Sequence, residues 1–320
     1  MTIKEIIQGI KDGNRFALAK GLTIVESTRL TDREKATEII NACWNKNNMS
    51  KRIGITGSPG VGKSTFIDQF GIQLIEKGSK VAVLATDPSS SIHDGSILGD
   101  KTRMNQLSSH SSAFVRPSPN SNKIGSIQNR TFESIILCES AGYDTIIIET
   151  VGVGQSEFLV RDVVDCLVLL LLPNAGDELQ GIKKGIMEVA DLFILHKTDS
   201  VSPDQLQNAK NQLNNALHLA KEKSSKVKAS IAEISSTEIA GISNFYNDLD
   251  NFFREIKINN YYNLNRSHQL KEYVRKLLQE KILNHYNSSI VNTEKWNEIS
   301  LDSTPNQQAE KLFNHLINTK

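Results

Sequence analysis

The fold of this 320-residue chain is constrained most strongly by one stretch, Gly57-Ser58-Pro59-Gly60-Val61-Gly62-Lys63-Ser64-Thr65. This stretch matches the pattern G-x-x-x-x-G-K-[ST] at every fixed position, and its glycines let backbone N–H groups turn toward phosphate oxygens. The pattern predicts that Lys63 reaches the β- and γ-phosphates of a nucleotide and that the hydroxyl of Ser64 binds Mg²⁺. The alternative is a glycine-rich turn without a ligand. We expect the whole stretch to contact the nucleotide.

The segments around this phosphate-binding loop indicate a strand before it and a helix after it. The strand before the loop is predicted at 53–56, and further strands are predicted at 81–86, 113–115, 144–149, 166–172, 192–196 and 229–234, each largely apolar or β-branched. They alternate with helices up to about residue 255, which is typical of a parallel sheet covered on both faces. We therefore predict an α/β fold of the P-loop NTPase type, with a mostly parallel central sheet flanked by helices.

The composition indicates an ordinary globular chain without a strong charge. Basic residues number 37 against 36 acidic ones, and a net charge of +1 gives no general attraction to nucleic acid or to an acidic membrane. The three cysteines are far apart, which favours reduced thiols. The longest apolar run, 166–172, is too short to span a bilayer, and no signal peptide is recognisable. We expect a cytoplasmic protein with no nucleic-acid or membrane partner.

Acidic residues near the ends of two predicted strands are candidates for binding Mg²⁺. Asp87 follows the second strand, Asp100 lies further along the same loop, and Glu149 ends the fourth strand. Ligands of parallel sheets bind beyond the carboxyl ends of the strands, and Mg²⁺ on a triphosphate takes one or two carboxylates. We predict Ser64, Asp87, Asp100 and Glu149 as metal ligands, and Lys63, Glu149 and Asp100 as the catalytic set. The alternative is that Asp87 caps a turn and Asp100 is simply solvated.

The segment after Glu149 has the composition of a nucleotide-dependent switch. Glu149 either holds the metal through water or orients the attacking water, and both roles remain open. Gly152 can present its N–H to the γ-phosphate, and the glycines in 152–157 suit a hinge. A second charged, glycine-containing loop at 173–185 follows the fifth strand. The alternatives are an ordinary strand-to-helix turn and the start of an amphipathic helix.

The sixth predicted strand runs into His196-Lys197-Thr198-Asp199, which differs by one residue from the guanine-reading pattern N-K-x-D. Asp199 can accept hydrogen bonds from the N1–H and the exocyclic amine of guanine, a pair that adenine lacks, and the stem of Lys197 can lie along the base. Ser235 and Ser236 can complete the pocket with backbone N–H groups. We predict GTP and GDP as ligands in preference to ATP, with His196 as the departure from the pattern.

Beyond residue 255 the sequence becomes rich in asparagine and tyrosine and then forms a long amphipathic helix. Its apolar stripe consists of Leu270, Tyr273, Val274, Leu277, Leu278 and Ile282. Such a stripe is buried either against the same domain or in a dimer. We predict a helical extension at 1–48, a P-loop GTPase domain at 49–256 and a C-terminal helical arm at 257–320, which is a possible dimerisation element.

Five blocks of the sequence together resemble the MeaB/ArgK/MMAA family of P-loop GTPases. They are the phosphate-binding loop, Asp87-Pro88-Ser89-Ser90, residues 95–104, Glu149-Thr150-Val151-Gly152-Val153-Gly154-Gln155-Ser156-Glu157, and residues 176–185. The resemblance extends to Val25-Glu26-Ser27-Thr28-Arg29 near the N-terminus. The family belongs to a wider group of metallocentre-assembly GTPases that have a glutamate at the position of Glu149.

The resemblance implies a homodimeric G-protein chaperone of a cobalamin-dependent acyl-CoA mutase, such as methylmalonyl-CoA mutase. Such a protein uses GTP hydrolysis to gate cofactor loading and to protect the mutase from inactivation, and residues 176–185 match its additional switch loop. No glutamine is placed like that of small G proteins, so we expect slow turnover until a partner completes the site. The alternatives are a metal-delivery GTPase, a P-loop kinase of a small acceptor, and a non-catalytic nucleotide-gated scaffold.

Overall fold

The computed structural model of the protein describes residues 1–27, 29–87, 104–119, 124–150, 160–174, 184–219, 223–235, 239–287 and 304–318. The chain divides into two compact units, Met1–Gln269 and Leu270–Lys320. The central sheet and the phosphate-binding loop belong to the first unit. None of the helices in the described ranges combines the length and the apolar character that a membrane crossing requires.

The strands of the sheet are β1 Lys51–Gly57, β2 Val81–Asp87, β3 Ala113–Pro119, β4 Thr145–Glu149, β5 Cys166–Leu171, β6 Leu192–His196 and β7 Ile231–Ile234. They form one seven-stranded sheet in the order β3-β2-β4-β1-β5-β6-β7. Every neighbouring pair of these strands runs in parallel. Each predicted strand segment overlaps one of them, so the predicted α/β fold is confirmed.

Burial explains why the strands read as apolar runs in the sequence. All residues of β4, β5 and β6 are buried, and a strand covered on both faces needs no polar alternation. The core extends to the helix that follows the phosphate-binding loop, where the rings of Phe66 and Phe70 stack with centroids 5.3 Å apart. Phe245 meets both rings edge-on at 5.4 and 5.1 Å. This aromatic cluster fixes the helix beneath the loop.

The helices in the described ranges are α1 Ile3–Lys11, α2 Arg15–Glu26, α3 Leu30–Cys43, α4 Lys63–Glu76, α5 Asn105–Ser109, α6 Ile124–Ser140, α7 Lys184–Val189, α8 Pro203–Leu219, α9 Ile239–Ile258, α10 Tyr261–Tyr286 and α11 Pro305–Asn318. The N-terminal helices α1, α2 and α3 pack on one another and on α6. Their inward faces bury Ile10, Leu18 and Leu22 completely. The N-terminal segment is therefore a helical layer on the first unit.

A buried ionic cluster joins the amino ends of β1 and β5 to the start of α10. Arg266 donates from Nε and Nη2 to the two oxygens of Asp165, at 2.6 and 2.7 Å. Arg52 donates to Glu139 Oε1 at 2.9 Å and to Gln269 Oε1 at 3.3 Å. Burial raises the pKa of Glu139, but Arg52 and Arg266 outweigh this effect and hold that pKa below its ordinary value. The first turns of α10 are thus fixed to the sheet at the edge opposite the phosphate-binding loop.

Candidate nucleotide-binding site

The phosphate-binding loop connects the carboxyl end of β1 to the start of α4, as the sequence predicts. Two of its glycines are required by their surroundings. Gly57 has a φ of 148°, and a Cβ on it would lie 2.5 Å from the carbonyl oxygen of Leu170 in the neighbouring strand β5. Gly62 has a φ of 101°, and a Cβ there would lie 2.6 Å from Cε1 of His196. Any side chain at either position would therefore clash or strain the loop.

The start of α4 has the chemistry of an anion site. Its N-cap is Gly62, which has no side chain to compete for the first amides of the helix, so these N–H groups and the positive end of the helix dipole can face a phosphate. Lys63 Nζ donates to the carbonyl oxygens of Gly57 and Ser58 at 2.8 and 3.2 Å. The ammonium group is thus held against the loop that would carry the phosphates.

Glu149 lies beside the loop because β4 and β1 are neighbours whose register pairs Ile55 with Glu149. The Ser64 hydroxyl donates to Glu149 Oε1 at 2.8 Å, and Glu149 is only 7% exposed. The next residue, Thr150, donates from its hydroxyl to Thr56 Oγ1 at 2.9 Å and fixes the end of β4. A hydroxyl and a carboxylate in contact are hard oxygen donors of the kind that Mg²⁺ takes, so these residues fit that metal.

Several predicted site residues lie at the edge of the described ranges or outside them. Asp87 is the last residue of β2, whose register places Ala85 opposite Glu149, so its backbone is at the same edge of the sheet. The side chain of Asp87 is outside the described part of the structure, and so are the residues Asp100, Gly152 and Ser236. The predicted switch segments 152–157 and 173–185 also lie wholly or largely outside the described ranges. Their roles stay predictions.

The predicted base-reading segment contacts the phosphate-binding loop directly. His196 ends β6, is 1% exposed, and has its Nδ1 2.7 Å from the carbonyl oxygen of Val61. Because a carbonyl only accepts, Nδ1 carries the proton. Lys197 has a φ of 60°, rare for a residue other than glycine, and its Nζ donates to the carbonyl oxygen of Gly60 at 2.8 Å. Apart from the histidine in the asparagine position, nothing in the sequence indicated these two contacts.

The remaining predicted base contacts lie around the same strand end. Asp199 is exposed in a short 3-10 helix, Thr198–Ser200, that follows Lys197. Ser235 is buried directly after β7, whose register pairs Ile234 with His196. The phosphate-binding loop, Glu149, Asp199 and Ser235 therefore all lie at or just beyond the carboxyl ends of parallel strands, which is where such sheets bind nucleotides.

Comparison with known proteins identifies the family. Residues 18–290 match the family model described as methylmalonyl Co-A mutase-associated GTPase MeaB. The chain belongs to the MeaB family of P-loop GTPases. The MeaB match covers the sheet, the phosphate-binding loop and the His196 segment together.

Individual relatives agree with the MeaB assignment. The GTPase ArgK of Escherichia coli K12 is 41% identical over 284 residues, which are 89% of this chain and 86% of ArgK. A mouse protein named methylmalonic aciduria type A homolog, mitochondrial, is 40% identical over 294 residues, covering 89% of this chain and 71% of the relative. A crystal structure described as LAO/AO transport system kinase superposes on this chain with a TM-score of 0.75 at 33% sequence identity. The superposition covers 99% of this chain and 98% of the chain in that crystal structure.

Proposed function

We propose that this MeaB family member is a GTP-hydrolysing chaperone of a cobalamin-dependent acyl-CoA mutase of the methylmalonyl-CoA type. In this role it gates cofactor loading and protects the mutase from inactivation. The description of the matching family as mutase-associated supports this proposal, and so does the name of the mouse relative, which refers to methylmalonic aciduria.

The hydrolytic part of the proposal is carried by the contact between Ser64 Oγ and Glu149 Oε1 at 2.8 Å. It supports a Mg²⁺ site formed by Ser64 and Glu149 together with Asp87 and Asp100. When bound, Mg²⁺ neutralises charge that develops on the transferred phosphoryl group. Lys63 and the amides at the start of α4 add positive charge at the same place. We assign Glu149 to the metal side of the reaction, because its carboxylate is held by the hydroxyl of a predicted metal ligand.

The preference for GTP over ATP rests on Asp199. A carboxylate there accepts hydrogen bonds from the N1–H and the exocyclic amine of guanine, and adenine offers no such pair of donors, which disfavours ATP. Ser235 is placed by the register of β7 beside this segment and completes the base pocket, together with Ser236 and Lys197.

We further propose that the protein is cytoplasmic and forms a homodimer through α10. In the second unit, Leu270, Val274, Leu278 and Ile282 recur every fourth residue, so that they lie along one side of the helix. They are 38%, 54%, 56% and 53% exposed. An apolar stripe of this length is unfavourable in water and suits the seam of a helix pair.

The decisive experiment measures phosphate release from GTP, with and without an acyl-CoA mutase, and the survival of mutase activity over many turnovers. We expect the mutase to accelerate phosphate release, and we expect GTP with this protein to prolong mutase activity. The variant Lys63→Ala is the control, since it removes an ammonium group from the proposed phosphate site. If phosphate release is unaffected by the mutase and mutase survival is unaffected by this protein, the chaperone proposal is wrong. Mutase protection by nucleotide binding without hydrolysis would favour a scaffold instead.

A small-acceptor kinase is the second candidate, because the crystal structure that covers 99% of this chain is described as a transport system kinase. A kinase and a hydrolase differ in the fate of the γ-phosphate. With γ-labelled nucleotide, transfer of the label to an organic acceptor in a cell extract would support the kinase. Release of the label as inorganic phosphate alone would support the GTPase.

A further inference from the structure

His196 occupies the position where the guanine-reading pattern has asparagine. Its contact with the phosphate-binding loop is made by one ring atom, Nδ1. The atom that contacts the Val61 carbonyl at 2.7 Å is Nδ1, which is bonded directly to Cγ. The amide nitrogen of asparagine is also bonded directly to Cγ. A protonated Nδ1 and an asparagine Nδ2 are therefore donors at nearly the same distance from the backbone.

The rest of the ring packs tightly in the site. The Cε1 atom fills the space that a Cβ on Gly62 would need, and the ring meets Phe66 edge-on with centroids 6.4 Å apart. Nε2 is buried and has no hydrogen-bond partner within the described ranges of the chain. An unprotonated Nε2 is compatible with such a site, whereas a second N–H would be left without an acceptor.

The contact of His196 is one of a pair. Lys197 donates to the carbonyl oxygen of Gly60, and His196 to that of the next residue, Val61. Consecutive residues of the base-reading segment thus hold consecutive carbonyls of the phosphate-binding loop. These two hydrogen bonds set the distance between the phosphate site and Asp199. A nucleotide must span that distance to contact the phosphate-binding loop and Asp199 at the same time.

We propose that His196 is a positioning residue for guanine recognition: its Nδ1–H replaces the asparagine donor and holds the phosphate-binding loop at the spacing that lets Asp199 read the base. The substitution of histidine for asparagine therefore preserves guanine selection. This inference rests on the proposed binding of guanine nucleotides at this site, but it does not depend on a mutase.

A matched pair of variants tests the donor. His196→Asn keeps a nitrogen donor bonded to Cγ. His196→Leu keeps a side chain that branches at Cγ but has no hydrogen-bond donor. The affinities of wild type and both variants for GDP and ADP are measured with Mg²⁺, by titration calorimetry and without a mutase. We expect His196→Asn to bind GDP within about threefold of wild type, and His196→Leu to bind it at least about tenfold more weakly, since an unpaired buried carbonyl remains. The ratio of GDP to ADP affinity should fall in His196→Leu only, whereas general damage to the loop would weaken both nucleotides equally.

The wild-type protein provides an independent measurement that does not depend on the folding of a variant. Nitrogen-15 NMR of labelled histidines distinguishes the two neutral tautomers, and the resonance of His196 is assigned by its loss in His196→Asn. We expect the Nδ1–H tautomer. The Nε2–H tautomer, a His196→Leu variant with wild-type GDP affinity, or a His196→Asn variant as weak as His196→Leu would each overturn the proposal. Loss of mutase stimulation with this pattern intact would contradict the chaperone role alone.

Discussion

The hydroxyl of Ser64 donates to the carboxylate of Glu149 at 2.8 Å, although the two residues are 85 positions apart in the chain. The contact exists because Ser64 lies in the first turn of α4, the helix after β1, and Glu149 ends β4, the parallel neighbour of β1. It brings together two oxygen donors of the kind that Mg²⁺ takes.

The substitution Glu149→Gln tests the role of this carboxylate. We expect the Mg²⁺ concentration for half-maximal GTP hydrolysis to rise by about 10- to 100-fold, because the neutral amide is a poorer partner for the metal and its waters. The measurement is single-turnover hydrolysis at increasing Mg²⁺, with the exposed Glu76→Gln on α4 as a control. A fall in the maximal rate with an unchanged Mg²⁺ requirement would instead assign Glu149 to orienting the water.

Removing the loop ammonium should weaken nucleotide binding. In Lys63→Ala we expect affinity for GTP to fall by about 10- to 100-fold, since hydrogen bonds to charged groups contribute about 1.5–3 kcal/mol. Titration with a fluorescent guanine nucleotide measures the change. Lys77→Ala, at the exposed end of the same helix, should bind normally. Unchanged affinity in Lys63→Ala would contradict the proposed phosphate site.

The buried ionic cluster should matter for stability and not for nucleotide binding. Asp165 has no exposed side-chain area and pairs with Arg266, so Asp165→Asn should lower the free energy of unfolding by about 3–5 kcal/mol. Asp250 also pairs with a cation, Lys51, but its side chain is 56% exposed, and Asp250→Asn should cost about 0–1 kcal/mol. Urea unfolding followed by circular dichroism compares the two. Equal losses would argue against the importance of burial here.

The stability of the protein should fall in mild acid through His196. Burial lowers the pKa of His196 below its ordinary value of 6.5, and Lys197 lowers it further, while the Val61 carbonyl and Asp199 oppose the shift. As the pH falls, the unfolded chain therefore takes up a proton on His196 before the folded chain does. The contribution of neutral His196 to the free energy of unfolding is complete above about pH 6.5 and is lost as the pH falls below that value. Urea unfolding of wild type and His196→Asn, at about pH 7.5 and about pH 5.5, measures the loss of unfolding free energy between the two pH values. Equal pH dependence in the two proteins would contradict it.

A charge in the apolar stripe of α10 should prevent dimer formation. We expect the wild type to scatter light as twice its 35.6 kDa chain mass, and Leu278→Asp to scatter as a single chain, because a buried unpaired carboxylate disfavours the helix pair. Gln279→Asp adds the same charge at an exposed position off the stripe and should remain a dimer. A monomeric wild type, or a dimeric Leu278→Asp variant, would exclude this interface.

The strands could be predicted from the sequence because each carries its own signal. Residues such as those of β5, Cys166–Leu171, are all buried, and a short apolar run between polar segments is sufficient evidence for such a strand. The phosphate-binding loop is local in the same sense, since its glycines and Lys63 are adjacent in the chain. The order of the strands was not predictable, because pairing depends on contacts between distant segments.

The contacts that hold the site together could not be read from the sequence for the same reason. His196 and Val61 are separated by 135 positions, and Arg266 and Asp165 by 101. Histidine in a guanine-reading pattern looks like a loss of function when only residue types are compared. The structure shows that Nδ1 makes the contact, and the attachment of that atom to Cγ is the basis of our proposal that the substitution is conservative.

The side chains of Tyr262, Arg266 and Gln269 all lie within the first turns of α10, and each is anchored in the first unit. A truncated version of the protein that ended at residue 256 would lack the Arg266 guanidinium, which neutralises Asp165. It would also lack the Tyr262 hydroxyl, which donates to the Ser50 carbonyl. Expression of the enzymatic part by itself should therefore succeed only when the chain is extended at least through Gln269.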